Sequence, residues 1–217
     1  MLDYSAKTSH DGDPDKYSLW HEGVLRECSF DNKDTLDIGS GTGGFLLHIR
    51  DSSRSVMGID PNKQNCDIAR GRSLNVVCDY PENVQGIDGK FDVVTCFEVI
   101  EHLYDPHKVI ETVERALRSG GVAFVTTPNA FNIIRRVRFV LSGEHHDSLM
   151  DPTRSDEPEH IRGYSFAMMT RLVNKSKTLK VLEVYGVSRI FDHVFIFKNK
   201  FLVKLLAQHL IVKIKKS

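Results

Sequence analysis

Two acids and a histidine lie close together in the chain, at Glu98, Glu101 and His102. If this stretch is helical, their i, i+3 and i+4 spacing places the three side chains on one face. Carboxylate oxygens together with an imidazole are ligands for a divalent ion such as Mg²⁺, Mn²⁺ or Zn²⁺, which would acidify a hydroxyl group of a bound molecule. His160, in a later Glu-His-Ile-Arg sequence, is a candidate fourth ligand.

The same residues also allow a site without metal. In that arrangement Glu98 contacts a cofactor, Glu101 caps a helix, and His102 either packs or takes part in proton transfer. An imidazole with a pKa of about 6.5 accepts a proton readily near neutral pH. His102 and His160 are therefore the candidate catalytic bases.

A glycine-rich segment at residues 39–44 follows a short apolar run that is typical of a β-strand. Gly39, Gly41 and Gly44 satisfy the GxGxxG pattern, and Asp60 lies about twenty residues further along, where it can bind ribose hydroxyls. Bare backbone at the carboxyl end of a strand lets a ligand approach closely. This combination suits a nicotinamide dinucleotide, so a dehydrogenase is one candidate.

The charge of Asp37, just before the glycines, distinguishes between two cofactors. A carboxylate there would repel a pyrophosphate, at a cost of about 1 kcal/mol or more in a partly buried site. It would attract the ammonium and sulfonium groups of S-adenosylmethionine. Asp79, after the third predicted strand, can accept a hydrogen bond from an adenine amino group, and Asp60 can accept from both ribose hydroxyls. The three acids therefore favour S-adenosylmethionine.

These residues have to be positioned by alternating strands and helices. From residue 35 to 128, short β-branched runs alternate with helical patterns, which predicts βαβ units, a parallel sheet and the α/β class. Strands are predicted at 35–38, 55–60, 75–78, 91–97 and 122–127, and helices at 45–50, 61–70 and 106–118. A helix at 165–177 follows, and 180–187 and 193–197 are predicted to pair as a hairpin at the sheet edge.

The length of 217 residues predicts a single domain, 1–217. Residues 129–164 have weak periodicity, and we expect this long segment to recognise the substrate. It includes three arginines among apolar residues, which could bind an anionic substrate or a membrane surface. The basic amphipathic tail at 199–217 is predicted to be a helix that either lies on a membrane surface or packs on the sheet edge.

Composition argues against several other classes. Lys and Arg total 29 and Asp and Glu total 29, so the bulk charge indicates neither nucleic acid nor a polyanionic substrate. The 4 cysteines are widely spaced and form no CxxC motif, which indicates a reducing, cytoplasmic compartment. The polar N-terminus and the lack of a long apolar stretch argue against a signal peptide and a membrane span.

Five ordered segments, LDIGSGTGGF, GID, CD, FDVVTCFEVIEHLYDP and LRSGGVAFVTTPN, resemble the motifs of class I S-adenosylmethionine-dependent methyltransferases. EVIEHL and TPN are most similar to ubiquinone-biosynthesis O-methyltransferases and their small-molecule relatives. DPDKYSLWHEG resembles the N-terminal cap helix of such enzymes, within residues 1–30. The resemblance implies a Rossmann-like, seven-stranded, mostly parallel sheet with an antiparallel strand 7 and helices on both faces. It also implies cofactor contacts from Tyr17, Gly39, Gly41, Asp60, Asp79, Cys96 and Phe97.

The resemblance further implies methyl transfer from S-adenosylmethionine to an oxygen of a small or lipid-linked acceptor. Small-RNA 3′-terminal 2′-O-methyltransferases carry a similar Glu, Glu, His and later His, so a metal-dependent RNA enzyme is an alternative, although the neutral charge argues against nucleic acid. A non-catalytic S-adenosylmethionine-binding protein is the other alternative. The expected partners are a small-molecule acceptor and, through the tail, a membrane surface.

Overall fold

The computed structural model describes residues 18–143, 160–190 and 193–217. Within these ranges the chain forms seven α-helices, eight β-strands and two 3₁₀ turns. The helices are α1 (Leu19–Leu25), α2 (Gly44–Ile49), α3 (Lys63–Gly71), α4 (Pro106–Ala116), α5 (Ile133–Ser142), α6 (Phe166–Val173) and α7 (Lys200–Leu206). The strands are β1 (Asp34–Ile38), β2 (Ser55–Ile59), β3 (Val76–Val77), β4 (Phe91–Cys96), β5 (Leu117–Pro128), β6 (Leu179–Ile190), β7 (His193–Phe197) and β8 (His209–Lys216). The 3₁₀ turns are Pro81–Asn83 and Ile100–His102.

The strands of the described ranges form one sheet in the order β3-β2-β1-β4-β5-β8-β6-β7. β1 to β5 pair in parallel, whereas β8 is antiparallel to both β5 and β6. This confirms the α/β class and the mostly parallel sheet with an antiparallel strand near its end. The predicted hairpin at the sheet edge is present as β6 and β7. The described ranges contain eight strands instead of the expected seven, because His209–Lys216, predicted as part of a helix, forms β8 between β5 and β6.

The carboxyl-terminal tail is the largest departure from prediction. A helix was expected over 199–217, but only Lys200–Leu206 is helical and His209–Lys216 is a strand inside the sheet. Leu210 and Val212 face one core cluster while Ile211 faces the other, which is the two-sided burial of a central strand. The β-branched residues of this stretch favour extended structure once both sides are covered. The basic tail is therefore only partly available to a membrane.

Helices cover both faces of the sheet, as predicted. On one face α4, α6 and α7 bury Val109, Met169 and Val203 in one apolar cluster. On the other face α1, α2 and α3 bury residues that include Phe45 and Cys66. Each large apolar side chain buried in this way contributes roughly 1.5–3 kcal/mol. None of the helices described is both long enough and apolar enough to cross a membrane.

Local capping explains where the helices next to the site begin. The Asn62 side chain accepts a hydrogen bond from the Asn65 amide at the start of α3, and Asp105 accepts one from the His107 amide at the start of α4. α4 ends earlier than predicted because Leu117 already pairs with Phe91 of β4. These caps fix both helices at the carboxyl edge of the parallel strands.

Two parts of the predicted site lie outside the described residues. Tyr17, expected to contact the cofactor, is one of them, together with the rest of the cap segment before residue 18. Residues 144–159 of the expected recognition segment are the other. The described part of that segment contains α5, which begins where the Asn132 side chain accepts a hydrogen bond from the Arg135 amide.

Candidate active site

The glycine-rich turn connects β1 to α2 and leaves its backbone bare. Gly39, Gly41 and Gly43 have φ angles of 75°, 54° and 83°, a region that side chains disfavour. A Cβ atom on Gly39 would lie 2.3 Å from Cγ2 of Val99. The amides of Gly39 and Ser40 donate to the carbonyl of Ile59, at 2.8 and 3.1 Å, which ties the turn to β2. Residue 39 therefore has to be glycine for the turn and the segment after β4 to pack together.

Asp60 holds this turn in place. Its buried carboxylate accepts hydrogen bonds from the amides of Gly41 and Asn62, each at 2.9 Å, and from the side-chain amide of Asn65 at 3.2 Å. Burial raises the pKa of Asp60, and these three hydrogen bonds oppose the shift. The predicted ribose contact would have to use acceptor positions that the three donors leave open on the two oxygens.

The other predicted acids occupy different environments. Asp37 is buried on β1 and accepts a hydrogen bond from the hydroxyl of Thr95 at 2.7 Å. Asp79 is half-buried after β3, and one of its oxygens accepts from the Tyr80 amide at 2.7 Å and from Asn83 at 2.8 Å. All three acids follow or end neighbouring parallel strands, where a ligand with positive charge and hydroxyl groups would meet them.

Cys96 and Phe97, at the end of β4, point into opposite halves of the core. The Cys96 thiol is completely buried on the α4 side, and burial raises its pKa well above the usual range. A cofactor contact from this residue would therefore come from its backbone. The Phe97 ring is on the α1 side, 4.8 Å from the rings of both His21 and Phe45. These three rings form an apolar wall next to the glycine turn.

Glu101, His102 and His160 come together beside this edge of the sheet. Each offers one ligand atom, and the three atoms lie within 4.8 Å of one another. Nε2 of His160 is 3.9 Å from Oε1 of Glu101. The sequence prediction that His160 joins Glu101 and His102 therefore agrees with the geometry, although they lie on separate segments.

The Glu101 carboxylate is buried without the partners that such a group normally has. Among the described residues, neither of its oxygens makes a hydrogen bond, and neither does the nearby hydroxyl of Thr127. Burial, followed by the negative charge of Glu98, raises the pKa of Glu101 well above its usual range. The Thr127 hydroxyl opposes this shift although it lacks hydrogen-bond geometry toward Glu101. A buried carboxylate that makes no hydrogen bond to the described residues is suited to a ligand that supplies one.

Backbone and side-chain contacts hold His160 in place. The amides of Ile161 and Arg162 donate to the carbonyl of Glu101 at 2.9 and 3.1 Å. The Arg162 guanidinium donates to the carbonyls of Leu103 and Tyr104 at 3.0 and 2.5 Å. The end of the recognition segment is therefore attached directly to the turn that carries Glu101.

Glu98 does not join this cluster, so the predicted helical face of Glu98, Glu101 and His102 is wrong. Glu98 has a φ of 53°, in the left-handed region, and the 3₁₀ turn starts only at Ile100. Its carboxylate instead accepts from the hydroxyl of Thr126 at 2.8 Å and lies 2.9 Å from Nδ1 of His209. The i, i+3, i+4 argument fails because it assumes helical backbone where the chain turns.

The structure brings two further histidines to this edge that the sequence alone does not single out. His209 is the first residue of β8, and its ring lies 4.8 Å from that of Trp20. The helical interpretation of the tail concealed it. His21 is buried in α1, and burial, with a further contribution from His48, lowers its pKa to about 4, whereas the charge of Glu98 opposes this. Its place next to Trp20 in the expected cap helix was the available signal.

The chain matches known methyltransferases along most of its length. A family model described as a methyltransferase domain matches residues 16–177. A ubiquinone biosynthesis O-methyltransferase of Hydrogenovibrio crunogenus is 29% identical over 145 residues, covering 59% of this chain and 60% of that protein. The same-named protein of Coxiella burnetii is 24% identical over 184 residues, covering 82% of this chain and 74% of that protein. The chain spans 60% of the first relative's length and 45% of that of a Pseudomonas aeruginosa relative.

Solved structures give the same fold. A Thermotoga maritima S-adenosylmethionine-dependent methyltransferase, described as a possible histamine N-methyltransferase, has a TM-score of 0.67 at 18% identity, covering 92% of this chain and 89% of that chain. A Clostridium acetobutylicum S-adenosylmethionine-dependent methyltransferase has a TM-score of 0.66 at 18% identity, covering 93% and 92%. Identities this low show the fold alone.

The buried carboxylates and the bare glycine turn fit a cofactor with a nucleoside and a positive charge. The negative charge of Asp37 favours S-adenosylmethionine over a dinucleotide, and the family match agrees with this. Both observations disfavour the dehydrogenase. The chain belongs to the methyltransferase domain family.

Proposed function

We propose that this chain is an S-adenosylmethionine-dependent methyltransferase that acts on an oxygen of a small or lipid-linked acceptor, which binds beside Glu101, His102 and His160. The observation that carries the proposal is the buried Glu101 carboxylate, whose oxygens have no hydrogen-bond partner among the described residues. Leaving such a group unpaired is costly, so a ligand that supplies the partner is the simplest reason to keep it. The relatives named as O-methyltransferases support oxygen as the accepting atom.

S-adenosylmethionine, when bound, supplies a methyl group on a positively charged sulfur. The chain's own residues shape the space in which an acceptor meets that group. Asp60 fixes the glycine turn, the carboxylate of Asp37 offers negative charge, and the buried rings of Phe97 and Phe45 form an apolar wall. Holding reactants in line supplies a large share of the rate in such transfers.

The Glu101 cluster also fits a divalent cation. One carboxylate and two imidazoles, with ligand atoms within 4.8 Å of one another, match the mixed oxygen and nitrogen sets of Mn²⁺ or Zn²⁺ better than the oxygen sets that Mg²⁺ prefers. A cation held there would acidify an acceptor hydroxyl. His102 and His160 would then act as ligands, and without a cation they remain the candidate bases.

An exposed apolar and basic surface, formed by α5 and α7, supports a lipid-linked acceptor. Val140 and Leu141 of α5 are 80% and 81% exposed, and Phe201 of α7 is 68% exposed. The two helices contact each other, and neither contains an acid. Apolar side chains among lysines and arginines suit an anionic membrane surface. Because β8 lies in the sheet, this contact would come from α5 and α7 and not from the whole tail.

Calorimetric titration of the full chain with S-adenosylhomocysteine tests the cofactor site, with NAD⁺ as the control ligand. Repeating it with a chelator and then with Mn²⁺, Zn²⁺ or Mg²⁺ tests the cluster. Transfer of a labelled methyl group to a catechol with a short prenyl chain tests the acceptor class, with an aliphatic amine as the competing nitrogen acceptor.

We expect micromolar binding of S-adenosylhomocysteine, no binding of NAD⁺, and label on the catechol oxygen that decreases with chelator. Label on the amine alone would overturn the proposed acceptor atom. Cofactor binding without transfer to any oxygen acceptor would favour the non-catalytic alternative.

A further inference from the structure

We infer that His209, held by Glu98, is the base that takes the proton from the acceptor hydroxyl. This inference rests on the proposed O-methylation and deepens it. If Glu101, His102 and His160 hold a cation, the imidazole lone pairs of that cluster are used for ligation, and the acceptor's proton needs another destination. The described residues offer a second imidazole at the same edge of the sheet, outside that cluster.

The Glu98 side chain has a contact at each of its two carboxylate oxygens. Its amide donates to Oγ1 of Thr126 at 3.1 Å, and the same hydroxyl donates to Oε1 of Glu98 at 2.8 Å. Oε2 lies 2.9 Å from Nδ1 of His209. Both carboxylate oxygens are thus held, while the backbone has a φ of 53°. Strained non-glycine backbone persists where its surroundings over-determine it, and such residues concentrate at functional sites.

The contact with Glu98 bears on which nitrogen of the His209 ring carries the proton. An ionised carboxylate only accepts hydrogen bonds, so the contact requires a proton on Nδ1. A neutral imidazole protonated there has its lone pair on Nε2, which is the atom able to accept a proton. No described residue makes a hydrogen bond to Nε2.

His209 and Glu98 lie beside the carboxyl ends of the neighbouring strands β5 and β4. His209 pairs with Pro128 at the carboxyl end of β5, and Glu98 follows the carboxyl end of β4. Val99, next to Glu98, is the side chain that covers Gly39 of the cofactor turn. The Trp20 ring packs 4.8 Å from His209, and the side chains of His209 and Glu98 are 21% and 15% exposed. The pair is therefore fixed, lies against the cofactor turn, and remains partly accessible.

The groups that face this pair come from three elements. His21 of α1 and Glu101 of the 3₁₀ turn are close enough to Glu98 for their charges to interact, as is the Cys96 thiol at the end of β4. None of them makes a hydrogen bond to His209. In the step itself, the acceptor O–H bond breaks and its proton moves to Nε2 of His209. The oxygen forms a bond to the methyl carbon, the carbon–sulfur bond breaks with its electron pair staying on sulfur, and the imidazolium later releases the proton to water.

The first test needs no acceptor. Long-range ¹H–¹⁵N spectra of the full chain with labelled histidine, assigned with His209→Gln, report which ring nitrogen carries the proton. We expect the Nδ1–H form for His209, and loss of that preference in Glu98→Ala, which removes the acceptor. An Nε2–H form, or a spectrum that Glu98→Ala leaves unchanged, would overturn the inference even if no acceptor has been found.

The second test measures transfer to the prenylated catechol. His209→Ala should lower kcat roughly 10²–10³-fold, the usual range for a general base, with S-adenosylhomocysteine affinity and KM changed less than about threefold. Added imidazole should restore at least tenfold of the lost rate, which a merely structural role would not allow. His193→Ala, which removes an exposed imidazole from β7, is the matched control and should leave kcat unchanged.

The outcomes separate this inference from the proposed function. A loss below tenfold, a loss that appears in cofactor affinity, or a lack of imidazole rescue would each assign His209 a structural role. If the unaltered protein binds S-adenosylhomocysteine but methylates no oxygen acceptor, the proposed function fails and the tautomer measurement alone decides whether Glu98 holds His209 as described.

Discussion

Asp60 and Glu101 are both buried carboxylates beyond the carboxyl ends of the parallel strands, but their surroundings differ. Asp60 accepts hydrogen bonds from Gly41, Asn62 and Asn65, so the protein itself satisfies it. Glu101 accepts none from the described residues. The central carboxylate of the glycine turn is thus satisfied by the protein, whereas the carboxylate of the proposed acceptor region has no hydrogen-bond partner among the described residues. Stability and binding should therefore respond differently to substitutions in the two regions.

The largest effect should be on cofactor affinity, when a single methyl group is added to the glycine turn. In Gly39→Ala the new Cβ would lie 2.3 Å from Cγ2 of Val99 at a φ of 75°. We expect S-adenosylhomocysteine affinity to fall at least about 100-fold, because both the turn and the Val99 segment must shift.

Gly86→Ala is the matched control for this substitution. Gly86 has nearly the same φ, 74°, but nothing lies within 4 Å of its added Cβ. Calorimetric affinity should be unchanged in this variant, with a stability cost of about 1 kcal/mol. Equal losses of affinity in both variants would mean that the backbone angle, and not the close packing, controls the turn.

The next largest effect should be on folding stability. Asp60→Ala leaves the buried amides of Gly41 and Asn62 without acceptors, and each unsatisfied group costs about 1–3 kcal/mol. We expect the free energy of unfolding to fall by about 2–4 kcal/mol in urea titrations. Asp79→Ala, at a half-buried position, should cost less than about 1 kcal/mol. A similar loss in the two variants would contradict the view that Asp60 organises the turn.

The smallest effect should be an increase in the free energy of unfolding, where the preceding variants lose stability or affinity. Glu101→Gln replaces a buried carboxyl that has no hydrogen-bond partner among the described residues with a neutral amide. With chelator present, and with acid pH and pH 8 compared, we expect the free energy of unfolding to rise by about 1 kcal/mol wherever Glu101 is ionised. The pKa of Glu101 is raised in the folded protein, so the stability it contributes is present below about pH 4.5 and is lost as the pH rises through the raised value. The difference between variant and parent should therefore disappear at acid pH.

Glu111→Gln provides the comparison for that experiment, because Glu111 is exposed on α4. Its unfolding free energy should match that of the unaltered protein at both pH values. A decrease in stability for Glu101→Gln at pH 8 would show that Glu101 is satisfied within the protein and is not held open for a ligand.

A region is easier to predict from the sequence when the residues that contact one another lie close together in the chain. The cofactor region is local: Gly39, Gly41, Asp37 and Asp60 are placed by one strand, one turn and the next strand, and alternating patterns predict all of these. Glu98 could not be placed, because nothing in its neighbours signals a left-handed non-glycine residue. His209 lies 111 residues away from Glu98, and a stretch of alternating lysines and apolar residues is compatible with both helix and strand.

The proposed acceptor region could be predicted only in part, for the same reason. The grouping of Glu101 with His102 is a local feature, and His160 was added from its position in the recognition segment. Only the three-dimensional arrangement shows that the backbone of Ile161 and Arg162 bonds to the Glu101 carbonyl and brings that imidazole close. Physical pattern arguments therefore identified the residue types, while tertiary contacts determined which of them meet.

The position of β8 has a consequence for how the chain is made. Residues 117–190, which include β5 and β6, leave the ribosome before His209–Lys216, yet β8 has to enter between them. Until then both strands present unpaired edges, which can pair with other chains and aggregate. The sheet, and with it the link between His209 and Glu98, can be completed only after residues 209–216 have left the ribosome. A nascent chain thus gains this contact later than it gains the glycine turn.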